Sequence, residues 1–368
     1  MIEQHFGESP PFSLGVEEEV MILDAETFAL VPGVRALLAG GEGRELPGLF
    51  KTELHASIVE LNTGICPSVD EARAALSTLR RTAAEIAGVE GMVIAAAGTH
   101  PFSRAEEQEV VQEKRYKMFL AYGGVSVRRQ AVNGLHVHVG VESADACFHA
   151  LEGMLPWLPV VLALSANSPY ADGVQTGLAS NRAEVLAQLP RAGAPPAFDS
   201  YAGWEAFVDR FVAAGVAEDY TRFWWDARPH PKFGTVEVRM PDQPTALART
   251  VAFAALLQAL AATALERPVP SDRPGRRGDY AQNRWAALRF GPRAELIHPE
   301  AGRLASLADL TGELLELVRP AATKLGGVEY LDALDGQSSE ADLQIAVGRS
   351  AGLRAAAADV AERTVVSD

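Results

Sequence analysis

Apolar residues recur at helical spacing in several stretches of the chain. The clearest stretch is Val69–Ala87, which has acidic residues in its predicted first turn and a glycine just after its end. The same spacing predicts six further helices, over Arg104–Ala121, Ala144–Ser165, Trp204–Ala214, Ala246–Leu265, Ala305–Leu317 and Ala351–Arg363. Clusters of proline and glycine predict surface loops at Pro190–Ser200 and Arg267–Gly278.

Polar and apolar residues alternate in shorter segments, which predicts β-strands. These segments are Leu14–Leu23, Ile58–Asn62, Gly91–Ala97, Gly134–Val141 and Thr235–Met240. Such alternation suits a sheet with one face packed on helices and the other open to a cleft. Because the elements follow no regular strand–helix–strand order, we predict an α+β fold in which helices pack on the outer, apolar face of an antiparallel sheet. No internal repeat divides the sequence, and we predict a single domain over residues 1–368.

Charge and cysteine content narrow the functional classes. The 368 residues include 48 acidic and 33 basic side chains, a formal charge of −15. This balance argues against nucleic acid and against an anionic membrane surface as partners, since both need a basic protein surface. Two widely separated cysteines, Cys66 and Cys147, make no disulfide framework and predict a reducing compartment.

No membrane or secretion signal is readable in the sequence. The N-terminal residues lack the basic and apolar regions of a signal peptide. The longest apolar stretches, Met154–Ala166 and Val251–Leu265, are shorter than the roughly 20 residues that a membrane-spanning helix needs. We therefore predict a soluble, cytoplasmic protein.

Carboxylates occur at strand spacing near the N-terminus. In Leu14–Leu23, Glu17 and Glu19 fall on one face and Glu18 on the other. Two neighbouring carboxylates repel each other unless a cation lies between them, and Mg²⁺ and Mn²⁺ prefer oxygen ligands. For this segment alone, a solvent-exposed acidic edge strand is an equally good interpretation.

Two further segments add candidate metal ligands. Glu53 and Glu60 are seven residues apart, so one regular strand would put them on opposite faces, and a shared site requires a bend or bulge between them. His136 and His138 share one strand face, an arrangement that occurs in several kinds of metal site.

The last predicted strand brings Glu237 and Arg239 to one face. Alone they would most often form an ion pair, but beside other carboxylates the arginine suits a transferring phosphoryl group. The strands together predict a sheet face for metal-dependent catalysis that carries Glu17, Glu19, Glu60, His136, Glu237 and Arg239. The sequence has no P-loop and no G-x-G-x-x-G after a strand, so ATP, if used, would be held by metal ions and arginines.

Five ordered motifs resemble the YbdK-type carboxylate-amine ligases of the glutamate–cysteine ligase type 2 group. They are Gly15–Glu19, Val59–Thr63, Gly98–Phe102, Gly134–Val139 and Trp225–Arg239. The resemblance runs from about residue 12 to about residue 290, where Tyr280–Trp285 also matches, and leaves a C-terminal helical part over residues 291–368. It implies a glutamine-synthetase-like catalytic fold, with an antiparallel sheet curled around the active site, and a homodimer or larger assembly.

The resemblance also implies roles for individual residues. ATP would be bound with several Mg²⁺ ions, or Mn²⁺ in their place, by the metal ligands Glu17, Glu19, Glu53, Glu60, His136 and Glu237. Arg239 would contact the transferring phosphate and act in catalysis with Glu237, while Arg182 would bind nucleotide phosphate or the substrate carboxylate. The pocket for the amine substrate would be lined by His138, Trp225 and Asn283.

The implied reaction is ATP-dependent amide-bond formation between small molecules. A carboxylate, first of all the γ-carboxylate of glutamate, would attack the γ-phosphate to give an acyl phosphate. An amine such as cysteine would then displace phosphate, although the identity of this amine is left open. Two alternatives use the same residues, namely a metal-dependent hydrolase that activates water and a non-catalytic homologue that binds nucleotide.

Overall fold

A computed structural model describes residues 2–269, 272–334 and 339–365 of the chain. Its strands are β1 (Leu14–Asp24), β2 (Gly48–Thr52), β3 (Ile58–Thr63), β4 (Met92–Ala95), β5 (Leu135–Gly140), β6 (Tyr170–Ala171), β7 (Val174–Gln175), β8 (Ala227–His230), β9 (Thr235–Val238), β10 (Glu295–Ile297) and β11 (Leu304–Ser306). Seven of them form an antiparallel sheet in the order β2-β3-β1-β5-β9-β8, with β4 beside the second half of β1. The pairs β6–β7 and β10–β11 form separate two-stranded ladders.

The helices account for most of the remaining secondary structure. They are α1 (Val34–Gly41), α2 (Val69–Val89), α3 (Lys114–Gly123), α4 (Val125–Arg128), α5 (Ala144–Met154), α6 (Leu158–Ser165), α7 (Asn181–Leu186), α8 (Tyr201–Ala213), α9 (Leu247–Leu265), α10 (Arg273–Phe290), α11 (Leu307–Lys324), α12 (Glu340–Ala351) and α13 (Leu353–Thr364). The sequence pattern did not predict the helices α1, α4, α7, α10 and α12, nor the strands β2, β6, β7, β8, β10 and β11.

The largest hydrophobic core lies between one face of the sheet and the helices. Helix α9 is buried from Thr250 to Ala264 and packs against α2, α5 and α11. Apolar side chains of the sheet, among them Val16, Val137 and Val238, point into this core. The architecture confirms the predicted α+β fold, in which helices cover the apolar face of an antiparallel sheet.

A buried ion pair joins β1 to the helical layer. Glu18 accepts two hydrogen bonds from the guanidinium of Arg80 in α2, at 2.8 and 2.6 Å, and both side chains are completely buried. Arg80 also donates to the carbonyl oxygens of Pro244 and Thr245, just before α9. The middle carboxylate of the three consecutive glutamates therefore faces the helices, while its two neighbours face the other side.

The predicted helix Arg104–Ala121 is wrong over its first half. Ala105–Glu107 forms a single 3₁₀ turn, and α3 begins only at Lys114. Between them Val110 pairs with His55 in an isolated β-bridge, and Val110 is buried in a second hydrophobic cluster. Burial of this segment against the connection between β2 and β3 favours extended backbone over the helix that its charged residues suggest.

The predicted loop Arg267–Gly278 is also too long. Helix α10 begins at Arg273, where Asp272 accepts a hydrogen bond from the backbone N–H of Gly275 and a proline occupies the first turn. Proline is favourable at the start of a helix, so its presence did not indicate a loop here. Pro270 and Ser271 lie outside the described residues.

Two apolar helical segments, Ala144–Ser165 and Leu247–Leu265, are long and apolar enough to cross a membrane by length and composition. The first comprises α5 and α6, joined by a 3₁₀ turn at Leu155–Trp157. In both segments 83% of the most apolar window is buried inside the protein. Packing in the core therefore accounts for their composition.

Candidate active site

Strand register brings the candidate polar residues to one face of the sheet. Directly opposed residues in an antiparallel ladder point to the same face. The opposed pairs are Glu17 with His136, Glu19 with Glu60, and His138 with Glu237. These side chains line a cleft of about 650 Å³ on the face that the helices leave open.

The first ligand group consists of Glu17, His138 and Glu237, whose ligand atoms lie within 4.8 Å of one another. Nδ1 of His138 lies 2.9 Å from the hydroxyl of Thr235, which orients the ring. Its Nε2 has no hydrogen-bond partner among the described residues, and it lies 3.7 Å from a Glu17 oxygen and 3.9 Å from a Glu237 oxygen. A buried imidazole nitrogen that faces two carboxylates is suited to complete a cation site.

The second ligand group consists of Glu19, Glu53 and Glu60, again with one oxygen of each within 4.8 Å. Glu53 follows β2 directly and Glu60 lies in β3, so the turn between these strands supplies the bend that a shared site requires. Burial and the carboxylates of Glu19 and Glu60 raise the pKa of Glu53 well above its usual value. Lys51 offers the group a positive charge, with its Nζ 3.3 Å from a Glu60 oxygen.

His136 lies between the two ligand groups. Its Nδ1 is 3.1 Å from a Glu17 oxygen, and its Nε2 is 3.9 Å from a Glu19 oxygen. Burial and the nearby Arg239 guanidinium lower the pKa of His136 to about 4, so the ring is neutral and donates from Nδ1 to Glu17. Burial opposes ionisation of Glu17, yet this hydrogen bond and the histidines lower its pKa to about 2.

Glu237 is held by two arginines. Arg228 in β8 lies opposite it and donates two hydrogen bonds, from Nε at 2.6 Å and from Nη2 at 3.3 Å, while Arg239 contacts the same carboxylate. These guanidiniums outweigh burial and lower the pKa of Glu237 well below its usual value. Arg239 is the more exposed of the two arginines, with 23% of its side chain accessible against 6% for Arg228. Both arginines line the cleft, and Arg239 is therefore the one more available to a ligand there.

Arg182 borders the cleft but is almost completely buried beside the backbone of Arg239. Its two Nη atoms donate to the carbonyl oxygens of Met240 and Arg239, both at 3.0 Å, and only 2% of the residue is exposed. A Cβ on Gly134 would collide with this guanidinium, at 1.9 Å from Nη2, so the close approach requires glycine there. In this arrangement Arg182 fixes the backbone that carries Arg239.

The three residues predicted for the amine pocket lie in different places. His138 belongs to the first ligand group. Trp225 borders the cleft, but it is buried and packs against Phe223 and Phe207 in an aromatic cluster. Asn283 is a correction to the prediction, since it lies outside the residues that line the cleft. Both ends of its amide are bound to the backbone of Ile297 in β10, because the side chain closes the contact between α10 and that strand.

Sequence reasoning missed Arg228 and Lys51. Each is opposed in register to a candidate ligand, Arg228 to Glu237 and Lys51 to Glu60. The signal for Arg228 was the short connection between β8 and β9, which makes a hairpin and so pairs residues at predictable distances from the turn. Nothing comparable marked β2, because its sequence alternates weakly.

A side groove of about 480 Å³ joins the cleft beside the first ligand group. Its wall is largely apolar and includes the exposed side chains of Leu49, Ile65 and Phe233. Lys51 and Lys232 line both the groove and the cleft. The groove therefore offers an apolar surface with two ammonium groups at its junction with the carboxylates.

Residues 13–344 match the sequence model of glutamate-cysteine ligase family 2, GCS2. The chain belongs to this family. One relative, from Rubrobacter xylanophilus, is 40% identical over 99% of this chain and 100% of its own length. It carries the provisional name glutamate–cysteine ligase 2-3. The family assignment confirms the resemblance found in the sequence motifs, and it makes the chain a ligase of the carboxylate-amine type.

Solved structures of similar fold agree with the family assignment. Glutamate–cysteine ligase from Francisella tularensis, crystallised with AMP, has a TM-score of 0.75 at 15% identity and covers 97% of this chain and 89% of its own. A bifunctional glutathione synthetase from Pasteurella multocida has a TM-score of 0.72 at 16% identity, covering 96% of this chain and 52% of its own. These likenesses confirm the predicted ligase-type catalytic fold.

Proposed function

We propose that this family member joins a carboxylate to an amine at the expense of ATP, through an acyl-phosphate intermediate. The observation that carries the proposal is the convergence of two carboxylate-rich ligand groups and Arg239 on one open sheet face. With divalent cations bound to its carboxylates, such a face could neutralise a polyphosphate at several points at once.

The two ligand groups fit Mg²⁺ or Mn²⁺. Hard oxygen donors predominate, and the unpaired Nε2 of His138 adds a nitrogen ligand that Mn²⁺ also accepts. We assign one ion to Glu17, His138 and Glu237, and a second to the acidic group around Glu53. Bound there, the ions would supply positive charge for the phosphates of ATP. His136 then orients Glu17 between the two groups.

The side groove is our candidate for the nucleoside of ATP. Its apolar wall suits a flat base, and Lys51 and Lys232 lie where the groove meets the ligand groups. AMP in the complex of the similarly folded Francisella ligase supports nucleotide binding as a property to test in this chain. The phosphates would then extend from the groove toward Arg239.

The chemistry proceeds in two displacements. An oxygen of the substrate carboxylate attacks the γ-phosphorus of ATP, the bond to the β,γ-bridging oxygen breaks, and ADP leaves. Arg239 stabilises the charge on the equatorial oxygens, and Arg182 keeps the Arg239 backbone in place. The amine nitrogen then attacks the acyl carbon, loses a proton, and phosphate leaves. Glutamate, through its γ-carboxylate, and an amine such as cysteine are the first substrates to test, as the names of relatives suggest.

The decisive experiment measures ADP release with carboxylate and amine supplied together or separately. We expect release to require both, and Glu237→Gln and Arg239→Ala each to lower it by about 100-fold or more without unfolding the protein. Glu107→Gln and Arg319→Ala, at exposed positions, serve as matched controls. Product formation without ATP would indicate a hydrolase, nucleotide binding without turnover would indicate a non-catalytic homologue, and full activity of either site variant would refute the assignment.

A further inference from the structure

One part of the cleft lining is an apolar wall, which we call the aromatic lobe. The side chains of this aromatic lobe come from α3, from α7 with the residues after it, and from the segment before β8; they are Tyr116, Phe119, Leu186, Leu189 and Trp224. The hydroxyl of Tyr116 donates to the carbonyl oxygen of Thr52 at 2.6 Å, which fixes the lobe next to the second ligand group. The phosphoryl transfer proposed above does not involve these side chains.

Phe119 and Trp224 form the most accessible part of the lobe. Their rings are stacked, with centroids 5.0 Å apart and an angle of 16° between the planes. Both side chains are half-buried. By contrast, Phe223 and Trp225, which flank Trp224 in the sequence, are buried. When an apolar ligand covers aromatic side chains that are exposed to water in a cleft, the apolar surface removed from water stabilises the complex. The stacked pair is therefore suited to contact a bulky apolar group.

Gln130 adds a hydrogen-bond acceptor to the lining of the cleft. Its amide nitrogen donates to the carbonyl oxygens of Ser126 and Val185, at 2.8 and 3.0 Å. Because carbonyl oxygens only accept, these two bonds determine which end of the amide is the oxygen. Within the described part of the chain that oxygen has no donor, although only 9% of the residue is exposed. A buried acceptor without a donor suits an N–H group of a ligand.

We propose that the aromatic lobe binds the amine substrate and that this amine carries an aromatic or similarly bulky apolar group. The inference rests on the proposed function, which assigns the nucleoside to the side groove and the phosphates of ATP to the cations and Arg239. The lobe is a part of the cleft that these assignments leave unused, and Gln130 offers an acceptor for an amine rather than a donor for a carboxylate. A small polar amine such as cysteine leaves Phe119 and Trp224 in water, so these two residues determine specificity for the larger amine.

The test compares amines of increasing apolar size at saturating ATP, Mg²⁺ and glutamate. Alanine, cysteine, phenylalanine and phenethylamine are ranked by kcat/KM from ADP release and product mass. We expect kcat/KM for the two aromatic amines to exceed that for alanine and cysteine by roughly tenfold or more. Differences of this order arise when an enzyme pocket buries more of the apolar surface of one substrate than of another. Trp224→Leu should lower kcat/KM for the aromatic amines by roughly tenfold, while KM for ATP and kcat/KM for alanine stay within about twofold of wild type.

Matched variants separate this role from a general loss of structure. Trp285→Leu removes a tryptophan that is 51% exposed on α10, outside the cleft lining, and should change nothing. Phe119→Leu, from a different element, should repeat the effect of Trp224→Leu. A wild-type preference for alanine or cysteine, an equal loss for all amines in Trp224→Leu, or a raised KM for ATP would overturn the proposal. If no amine stimulates ADP release, the proposed function itself fails, whereas turnover of small amines alone refutes only the role of the lobe.

Discussion

Glu19 of β1 and Glu60 of β3 lie directly opposite each other in the central sheet, and one oxygen of each lies within 4.8 Å of an oxygen of Glu53. Carboxylates this close in a largely buried site disfavour one another's ionised form, as the raised pKa of Glu53 indicates. A divalent cation would remove this repulsion. The dependence of the site on a cation should therefore be measurable from stability alone, without turnover.

The first prediction is that Mn²⁺ stabilises the protein through the second ligand group. At about 100 times its dissociation constant, a ligand that binds only the folded state adds about 2.7 kcal/mol to the free energy of unfolding. We expect an increase of this order in wild type and a markedly smaller one in Glu60→Gln. Urea unfolding with and without Mn²⁺ measures the difference, and chelation of Mg²⁺ should abolish ATP binding in parallel.

Glu107→Gln is the control for this measurement, because 69% of its side chain is exposed and it is not among the residues that line the cleft. It should respond to Mn²⁺ as wild type does. An unchanged Mn²⁺ effect in Glu60→Gln, or ATP binding that persists without divalent cation, would contradict the assignment of the second group.

The two histidines of β5 should differ in their effect on metal stoichiometry. Among the described residues, Nε2 of His138 is unpaired and faces two carboxylates of one ligand group, Glu17 and Glu237, whereas His136 donates from Nδ1 to Glu17 and has its Nε2 3.9 Å from Glu19 of the other group. We expect His138→Gln to lower the number of bound Mn²⁺ ions by one. His136→Gln should keep the stoichiometry and weaken binding by about 10- to 100-fold, as loss of a group that orients a ligand does. Isothermal titration distinguishes these outcomes, and the reverse pattern would restore His136 as the ligand.

Strand alternation was sufficient to find most of the cleft face. It placed Glu17 with Glu19 and His136 with His138, because side chains two residues apart on a strand share a face whatever the rest of the fold. The bend between Glu53 and Glu60 also followed from their odd spacing. Alternation also placed Glu237 with Arg239, and the family resemblance then added Arg182.

Strand alternation could not predict which atoms a side chain contacts or which distant strands pair with each other. His136 and His138 are equivalent by sequence pattern, and only the fold pairs Nδ1 of His138 with the Thr235 hydroxyl and Nδ1 of His136 with the Glu17 carboxylate. Arg182 carries the charge expected of a phosphate ligand, but backbone carbonyls occupy its Nη atoms. Asn283 lies in a matching motif, yet α10 turns it toward β10. Such outcomes depend on tertiary contacts.

The ion pair between Glu18 and Arg80 should be essential for stability rather than for the chemistry. Removing one partner leaves a completely buried, uncompensated charge, which costs about 3–5 kcal/mol. We expect Arg80→Met to lower the free energy of unfolding by this amount in urea titrations. Arg81→Met, at the exposed neighbouring position, should change it by less than about 0.5 kcal/mol. In the double variant Glu18→Gln/Arg80→Met the loss should be smaller than in Arg80→Met alone, and an equal or larger loss would show that the buried charge is not the cause.

His100 should make stability depend on pH. Its Nε2 donates to the carbonyl oxygen of Phe28 at 2.8 Å, and its Nδ1 accepts from the backbone N–H groups of Phe102 and Ser103, so the ring is neutral in the folded protein. Burial lowers the pKa of His100 from 6.5 to about 4. The unfolded chain therefore binds a proton more readily, and the stability that the neutral ring contributes is complete above pH 6.5 and is lost as the pH falls toward 4.

The lowered pKa corresponds to about 3 kcal/mol of stability between these pH values. In His100→Asn the amide oxygen can still accept from the two backbone N–H groups, but nothing titrates at this position. We expect the variant to be less stable than wild type at pH 7 and to lose less of its stability between pH 6.5 and 4. Urea unfolding at a series of pH values measures both curves. Because the other histidines and the carboxylates are common to both proteins, parallel curves would mean that His100 titrates in the folded state as it does in the unfolded chain.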